Sequence, residues 1–300
     1  MAAEGEVTFS PATGHASRTG TAERQSTIPW SRLGLYALAI GMVVLMTFPL
    51  LWMVSTAFKG PTEIFTSTPQ LIPSAPTFEN FQVAFTTKPV GDWILNSTIT
   101  ATLTTLLRLS IAVPAAYVFA RLLLPVTRLL LIVVIGTMII PGVVTLVPNY
   151  LLVVRLGWIN TWLGVIVPMA ASSAFFIFLL RQHIMQIPTD LYDAAELDGA
   201  GMVRTLWDIV IPLIRPGLVA VAALSFLWGW NAYLWPLLVL PGPESQTLAV
   251  GLGTYASDPE GAQLWGPLMA VALISSLPPL LLFLVAQKHL ATALTSGSKG

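Results

Sequence analysis

The sequence predicts an all-α integral membrane protein with six transmembrane helices and both termini in the cytoplasm. Three observations lead there. Of 300 residues, 55% are hydrophobic and only 9% charged, where an ordinary soluble domain carries about 25% charged residues. The charges are gathered so that long uncharged intervals separate them. Lys and Arg also fall mostly on one side of those intervals. The 14 basic and 14 acidic residues cancel, so no basic surplus is present to neutralise a nucleic-acid backbone, and nucleic acid is not an expected partner. The chain has no cysteine, which removes disulfides, thiolate nucleophiles and Cys-based metal sites.

The intervals define the spans. Between Arg32 and Lys59 lie 26 uncharged residues, between Arg128 and Arg155 another 26, between Arg155 and Arg181 25, between Arg215 and Glu244 28, and between Glu260 and Lys288 27. Each exceeds the ~20 residues that a helix needs to cross ~30 Å of hydrocarbon. A sixth span, between Asp92 and Arg121, carries Arg108 near its middle. It counts as spanning because its flanks are apolar or Ser/Thr/Asn, and an arginine facing a bundle interior or an aqueous path is tolerated. The expected helices therefore cover about 31–58, 93–119, 128–153, 159–181, 217–239 and 264–287. With six spans, ten of the 14 Lys and Arg lie with the two termini, against Lys59, Lys88 and Arg155 opposite. The positive-inside rule then puts both termini in the cytoplasm.

Outside the spans, residues 1–30 are polar and read as a disordered tail rather than a signal peptide, and 291–300 as a cytoplasmic tail. The first external loop holds Pro61, Pro69, Pro73, Pro76 and Pro89, which favour extended segments and turns over a long helix. Prolines within the spans, such as Pro114, Pro148 and Pro168, read as packing kinks or as hinges. His15, His183 and His289 have no partner at ligand spacing, so no metal site is expected.

The cytoplasmic loop 187–216 is the most informative stretch, with Asp190, Asp193, Glu196, Asp198 and Asp208 concentrated in it. Pro188 and Thr189 or Asp190 mark a helix start near Leu191, with Asp193 completing a shortened capping box. The segment 199–201 supplies a C-cap, and a second apolar-periodic stretch runs to Pro212. Leu191, Ala194, Ala195 and Leu197 offer an apolar surface flanked by carboxylates, suited to docking a basic partner. The alternative, a connector lying on the bilayer, fits poorly, because the inner leaflet is anionic and attracts basic segments.

This loop resembles the Glu-Ala-Ala, Gly, Ile, Leu-Pro motif of bacterial ABC-importer permeases. It reads Asp193-Ala194-Ala195, Gly199, Ile209 and Ile211-Pro212, with Asp198-Gly199-Ala200 as in the carbohydrate-uptake branch. Asp193 for Glu and Ile211 for Leu are the departures. Pro73 to Phe81, Asn96-Ser97, Trp230 to Leu240, Thr247 to Leu252 and Leu294 to Gly300 are similar to the maltose-type second permease subunit, so the resemblance covers about 33–300. It implies a type I importer permease fold and a half-channel that pairs with a homologous permease, two cytoplasmic ATPase subunits and an extracytoplasmic solute-binding protein. Asp193, Ala194, Ala195, Asp198, Gly199 and Ile209 are then the ATPase-coupling residues, and Pro212 fixes the exit into the fifth span. No phosphate-binding loop of the Gly-x-x-x-x-Gly-Lys-Ser/Thr type occurs. The chain is thus expected to bind no cofactor itself, with ATP and Mg used by the partner ATPase.

Candidates for the translocation path are the polar or aromatic span residues Asn96, Arg108, Asn149, Trp230, Asn231 and Tyr233, since sugars bind through aromatic stacking and hydroxyl hydrogen bonds. Each could equally be an interhelical bond or an interfacial anchor. Arg108 fits an anionic solute or a salt bridge within the bundle. A self-contained secondary transporter or channel is the alternative function, but it calls for ion-coupling acids in the spans, and none of the proposed spans holds Asp or Glu. An intramembrane enzyme lacks a nucleophile with a base or metal ligands.

Overall fold

The computed structural model describes residues 30–296 apart from 67, 123, 258 and 260–263. The expected tail 1–30 lies outside the described residues except for Trp30, which opens the first helix, and 297–300 lie outside as well. The chain divides into two units, Met1–Phe48 and Pro49–Gly300.

The first unit holds most of helix α1 (Trp30–Ala57), a continuous apolar run. Its large side chains from Leu35 to Met46 are exposed, Leu45 and Met46 each at 74%. A helix that is apolar on every side suits hydrocarbon as its solvent.

The second unit begins within α1. The Asn80 side chain caps that helix by donating from Nδ2 to the carbonyls of Ala57 at 3.0 Å and Lys59 at 2.7 Å. The proline-rich loop is more ordered than turns and extended chain alone. A short α2 (Pro61–Ile64) precedes α3 (Glu79–Thr87), which fits between Pro76 and Pro89 and is held by the ring cluster of Phe58, Phe78 and Phe81. Next comes α4 (Val90–Arg121), 32 residues long and unbroken by Pro114. It is the hub of the unit, packing against α7, α8 and α12.

Three of the expected spans are not single helices. The third is broken into α5 (Pro125–Thr137) and α6 (Gly142–Arg155), bent by 98°, and the fourth into α7 (Trp162–Ala171) and α8 (Ala174–Met185), bent by 47°. Pro141 explains the first break, because the residue before a proline is driven out of the helical region and a proline suits the start of the next helix. The fifth begins with α12 (Arg215–Trp230), which ends nine residues before the expected end of the span; residues 231–233 interrupt it and α13 (Leu234–Val239) follows. Between α8 and α12 lie α9 (Thr189–Leu197), α10 (Met202–Thr205), a π-helical turn over Leu206–Val210, and α11 (Ile211–Leu213), with an 82° bend into α12. The external α14 (Leu248–Ser257) leads to α15 (Trp265–Ser296), so the end of the chain stays helical through 291–296. Among the described residues, three helices (α1, α4 and α15) are long and apolar enough to cross a membrane outright, and up to six spans result if each bent pair counts once.

Small residues let the central helices meet. A Cβ at Gly229 of α12 would lie 3.0 Å from the Ala101 backbone of α4, a contact of the kind that holds membrane helices together. Separate apolar clusters form at the two ends of α4. One joins Ala116, Tyr117, Leu180, Tyr192 and Val210, and the other joins Val90, Trp93, Trp230, Leu248 and Tyr255.

Candidate functional site

The 187–216 element has an inward and an outward face. α9 opens at Thr189, two residues earlier than its sequence signals suggest, and no side chain caps it, so the expected capping box does not form. Tyr192 and Ala195, one turn apart, are buried against the bundle. Ala195, expected on the docking surface, therefore faces inward. The Arg121 guanidinium at the end of α4 lies 3.6 Å from the Tyr192 ring centroid, a cation–π contact that seats α9 on the membrane helices. Burial pushes the Tyr192 phenol above its ordinary pKa, with Arg121 partly opposing.

The helix ends in a Schellman turn. Ala200 N–H donates to Ala195 O at 2.9 Å and Gly199 N–H to Glu196 O at 3.0 Å, with Gly199 at φ +74°. Only glycine takes that conformation without strain, which gives the Gly199 of the motif a physical reason. The turn leaves Leu191, Leu197, Val203 and Trp207 exposed, Leu197 at 89%. Asp193, Ala194, Asp198 and Gly199 lie on the same open surface, Ile209 is half-buried, and Pro212 is exposed at the bend into α12. Of the five acids, Asp208 already pairs with Arg204 at 3.3 Å. The other four have no ion-pair partner among the described residues.

A second locus lies within the membrane part of the chain. Arg108 is 3% exposed. It donates from one terminal nitrogen to Ser225 Oγ at 2.8 Å and from the other to the Met169 carbonyl, with its guanidinium 4.5 Å from the Phe176 ring centroid. The salt bridge considered for it is not what the fold provides. The break between α7 and α8 frees carbonyls that a continuous helix would have used; Ser173 Oγ takes that of Ala170 and Arg108 takes that of Met169. The cation thus caps the negative end of a half-helix inside the membrane. Its Nε is buried without a partner.

Arg108 borders a cavity of about 260 Å³. This merges through Thr145, Asn149, Ser172 and Trp228 into a larger one of about 840 Å³ between α6, α7, α8 and α12. Trp228 stacks on Phe175 at 5.4 Å and 19° yet remains 49% exposed, so an indole surface is open beside the Asn149 amide. Among the described residues, no Asp or Glu lines either cavity.

Of the residues singled out in the sequence, Arg108 and Asn149 meet at this cavity and the others do not. Asn96 is committed elsewhere. Its Nδ2 donates to Glu244 O at 2.7 Å and Gln246 O at 3.0 Å, and its Oδ1 accepts from Trp162 Nε1 at 2.9 Å. Trp230 is buried and donates from Nε1 to Ser275 O at 3.0 Å. Asn231 bonds back to Leu227 O at 2.9 Å, ending α12, and Tyr233 packs beside Gly253. Sequence reading missed Trp228, Ser172 and Tyr192. Helical spacing from Ser225 to Trp228 was the available signal for the first, since residues three apart share a face.

Comparison with known proteins agrees with these features. The family model for the binding-protein-dependent transport system inner membrane component matches residues 112–296, more than half of the chain and all of the 187–216 element. The diacetylchitobiose uptake system permease protein NgcG of Streptomyces coelicolor is 32% identical over 264 residues, covering 88% of this chain and 87% of its own length. The sn-glycerol-3-phosphate transport system permease protein UgpE of Pectobacterium atrosepticum is 30% identical over 268 residues, covering 87% and 95%. A crystal structure of a bacterial ABC transporter involved in the import of the acidic polysaccharide alginate contains a chain of the same fold, with a TM-score of 0.78 over 86% of this chain and 95% of that one at 22% identity. The chain belongs to the binding-protein-dependent ABC importer permeases of the carbohydrate-uptake type, as a non-catalytic, multi-pass subunit of the bacterial inner membrane.

Proposed function

We propose that this permease forms one half of a translocation path, pairs with a homologous second permease, receives solute from an extracytoplasmic binding protein, and is driven by two cytoplasmic ATPases docked on the 187–216 element. The observation that carries this is the two-faced build of that element. Tyr192 and Ala195 hold it to the bundle, while Leu191, Leu197, Val203 and Trp207 and four unpaired acids face out. An exposed apolar patch rimmed by acids suits a partner with an apolar cleft and basic rim. Motion of that partner reaches the spans through the bend at Pro212. ATP and Mg belong to the ATPases, because this chain has no phosphate-binding loop. The orientation keeps both termini with the ATPases.

On this reading, residues 31–290 are the membrane domain and the joined cavity is this chain's share of the path. Trp228 offers a stacking face, and Asn149 and Ser172 offer hydrogen bonds. Arg108 below them, with no acid nearby, favours an uncharged or anionic hydroxylated solute over a cation. The chemistry named for the relatives, an acetylated amino-sugar dimer and a glycerol phosphate, falls within that class.

Gly199→Val tests the coupling. In the assembled importer, solute-stimulated ATPase activity and uptake should both fall by more than tenfold while the chain still inserts, since a β-branched residue at φ +74° unwinds the turn. Normal uptake with normal stimulated ATPase activity would sink the docking role. Trp228→Ala should raise the KM for uptake of sn-glycerol 3-phosphate or diacetylchitobiose, whichever the wild type carries, with little change in basal ATPase activity; an unchanged KM would remove the cavity from the path.

A further inference from the structure

A second groove, lined by none of the residues around Arg108, lies between the end of α4, the start of α5 and α8. It measures about 790 Å³, and its lining includes Leu129, Ile132 and Ile135 on α5 together with Arg128 and Arg181. The arginines stand at the cytoplasmic ends of α5 and α8 by the positive-inside orientation. From Arg128 to Ile135 is seven residues, about 10 Å of helix running into the hydrocarbon. Leu129 and Ile132 are exposed at 61% and 59%. Arg181 Nε donates to Phe119 O at 3.0 Å, and neither guanidinium has an acidic partner among the described residues. No Asp or Glu lines the groove.

A free anion would satisfy the arginines and leave the apolar wall bare. An apolar helix would cover the wall and leave two charges unmet. A molecule with an anionic head and a hydrocarbon tail meets both demands, and basic pockets between helices on the cytoplasmic side are where such headgroups bind. We propose that this groove holds one anionic phospholipid, its phosphodiester between Arg128 and Arg181 and one acyl chain along Leu129, Ile132 and Ile135. The bound head also steadies the coupling element. Arg121, which holds the Tyr192 ring, directly precedes Leu122 of the groove, so the lipid fixes the turn on which α9 is seated.

The test uses the assembled importer, purified with its partner subunits and placed in bilayers of phosphatidylcholine with and without phosphatidylglycerol, with retained lipid counted by native mass spectrometry. Phosphatidylglycerol should be retained in preference to phosphatidylcholine. That preference should fall about fivefold for each of Arg128→Gln and Arg181→Gln, and on the order of thirtyfold for both together. Ile132→Trp fills the groove but keeps both charges, and should displace the lipid as well; it guards against the arginine variants failing to fold. Arg204→Gln, cytoplasmic but outside the groove, should change nothing. Equal retention of the two lipids, or wild-type retention in the double variant or in Ile132→Trp, would overturn the proposal. Displacement by inorganic phosphate would make it a free-anion site instead, and crosslinking of position 132 to a partner helix would make it a protein contact.

Discussion

The two ends of α4 are built on different physics. At the outer end the connection between α13 and α14 is tied down by directional bonds: Trp93 Nε1 donates to Pro243 O at 2.8 Å, Asn96 bridges Glu244, Gln246 and Trp162, and Leu248 N–H donates to Ser97 Oγ at 2.7 Å. At the cytoplasmic end α9 is seated by the Tyr192 ring under Arg121 and by apolar packing, and the Tyr192 hydroxyl has no partner. Hydrogen bonds fix register because they weaken steeply with distance and angle, whereas ring and aliphatic contacts persist through small rotations. One end is suited to hold its loop and the other to rock under an applied load.

The largest expected effect is at the outer end. Asn96→Leu strands the buried Gln246 carbonyl, at about 1–3 kcal/mol, and breaks the part-buried bonds to Glu244 and Trp162, at about 0.5–1.5 kcal/mol each. The purified chain should lose thermal stability, and protease should cut near 241–247 first. Equal resistance there would mean that the hydrogen bonds are not what holds the loop. A similar but more local effect is expected from Tyr192→Ala, which removes a packed ring at a cost of about 3–5 kcal/mol and should expose 187–216 to protease while leaving the outer loop protected. Tyr192→Phe should be close to neutral in stability, because the hydroxyl makes no bond to lose.

The same pair gives a pH dependence. The folded-state pKa of Tyr192 is raised, so the seat is at full strength below the ordinary tyrosine value of about 10 and weakens as pH climbs through it, when the unfolded chain ionises more readily. Tyr192→Phe should flatten that alkaline loss at the cytoplasmic end and leave the outer end unchanged. Smallest of all is Arg204→Ala. Its pair with Asp208 is exposed on both sides, so stability should move by about 0–1 kcal/mol and uptake not at all. A large loss of uptake would mean that Arg204 itself meets the ATPase.

Much of this was legible before folding was considered. The charge gaps marked the long apolar stretches because crossing hydrocarbon is a demand that each helix must meet from its own composition. The spacing from Asp193 to Pro212 marked the build of the 187–216 element because a short helix, a glycine turn and a proline bend are local devices. Hydropathy did not find the helix breaks: a window average sees apolar residues on both sides of Ser172 and cannot tell that an arginine from another helix will supply the missing donor. It also could not rank the path candidates, since Asn96, Trp230 and Asn149 are alike as polar or aromatic residues in apolar runs.

What the sequence alone determined was therefore the membrane class and the family motif, each set by residues close together in the chain. Tertiary structure decided which buried polar groups are spoken for. Asn96 reaches partners 148 and 150 residues away, and Arg108 reaches partners 61 and 117 residues away. A buried donor must find an acceptor in whichever helix packs against it, and only the packing reveals that one of these residues closes a loop while the other borders an open cavity.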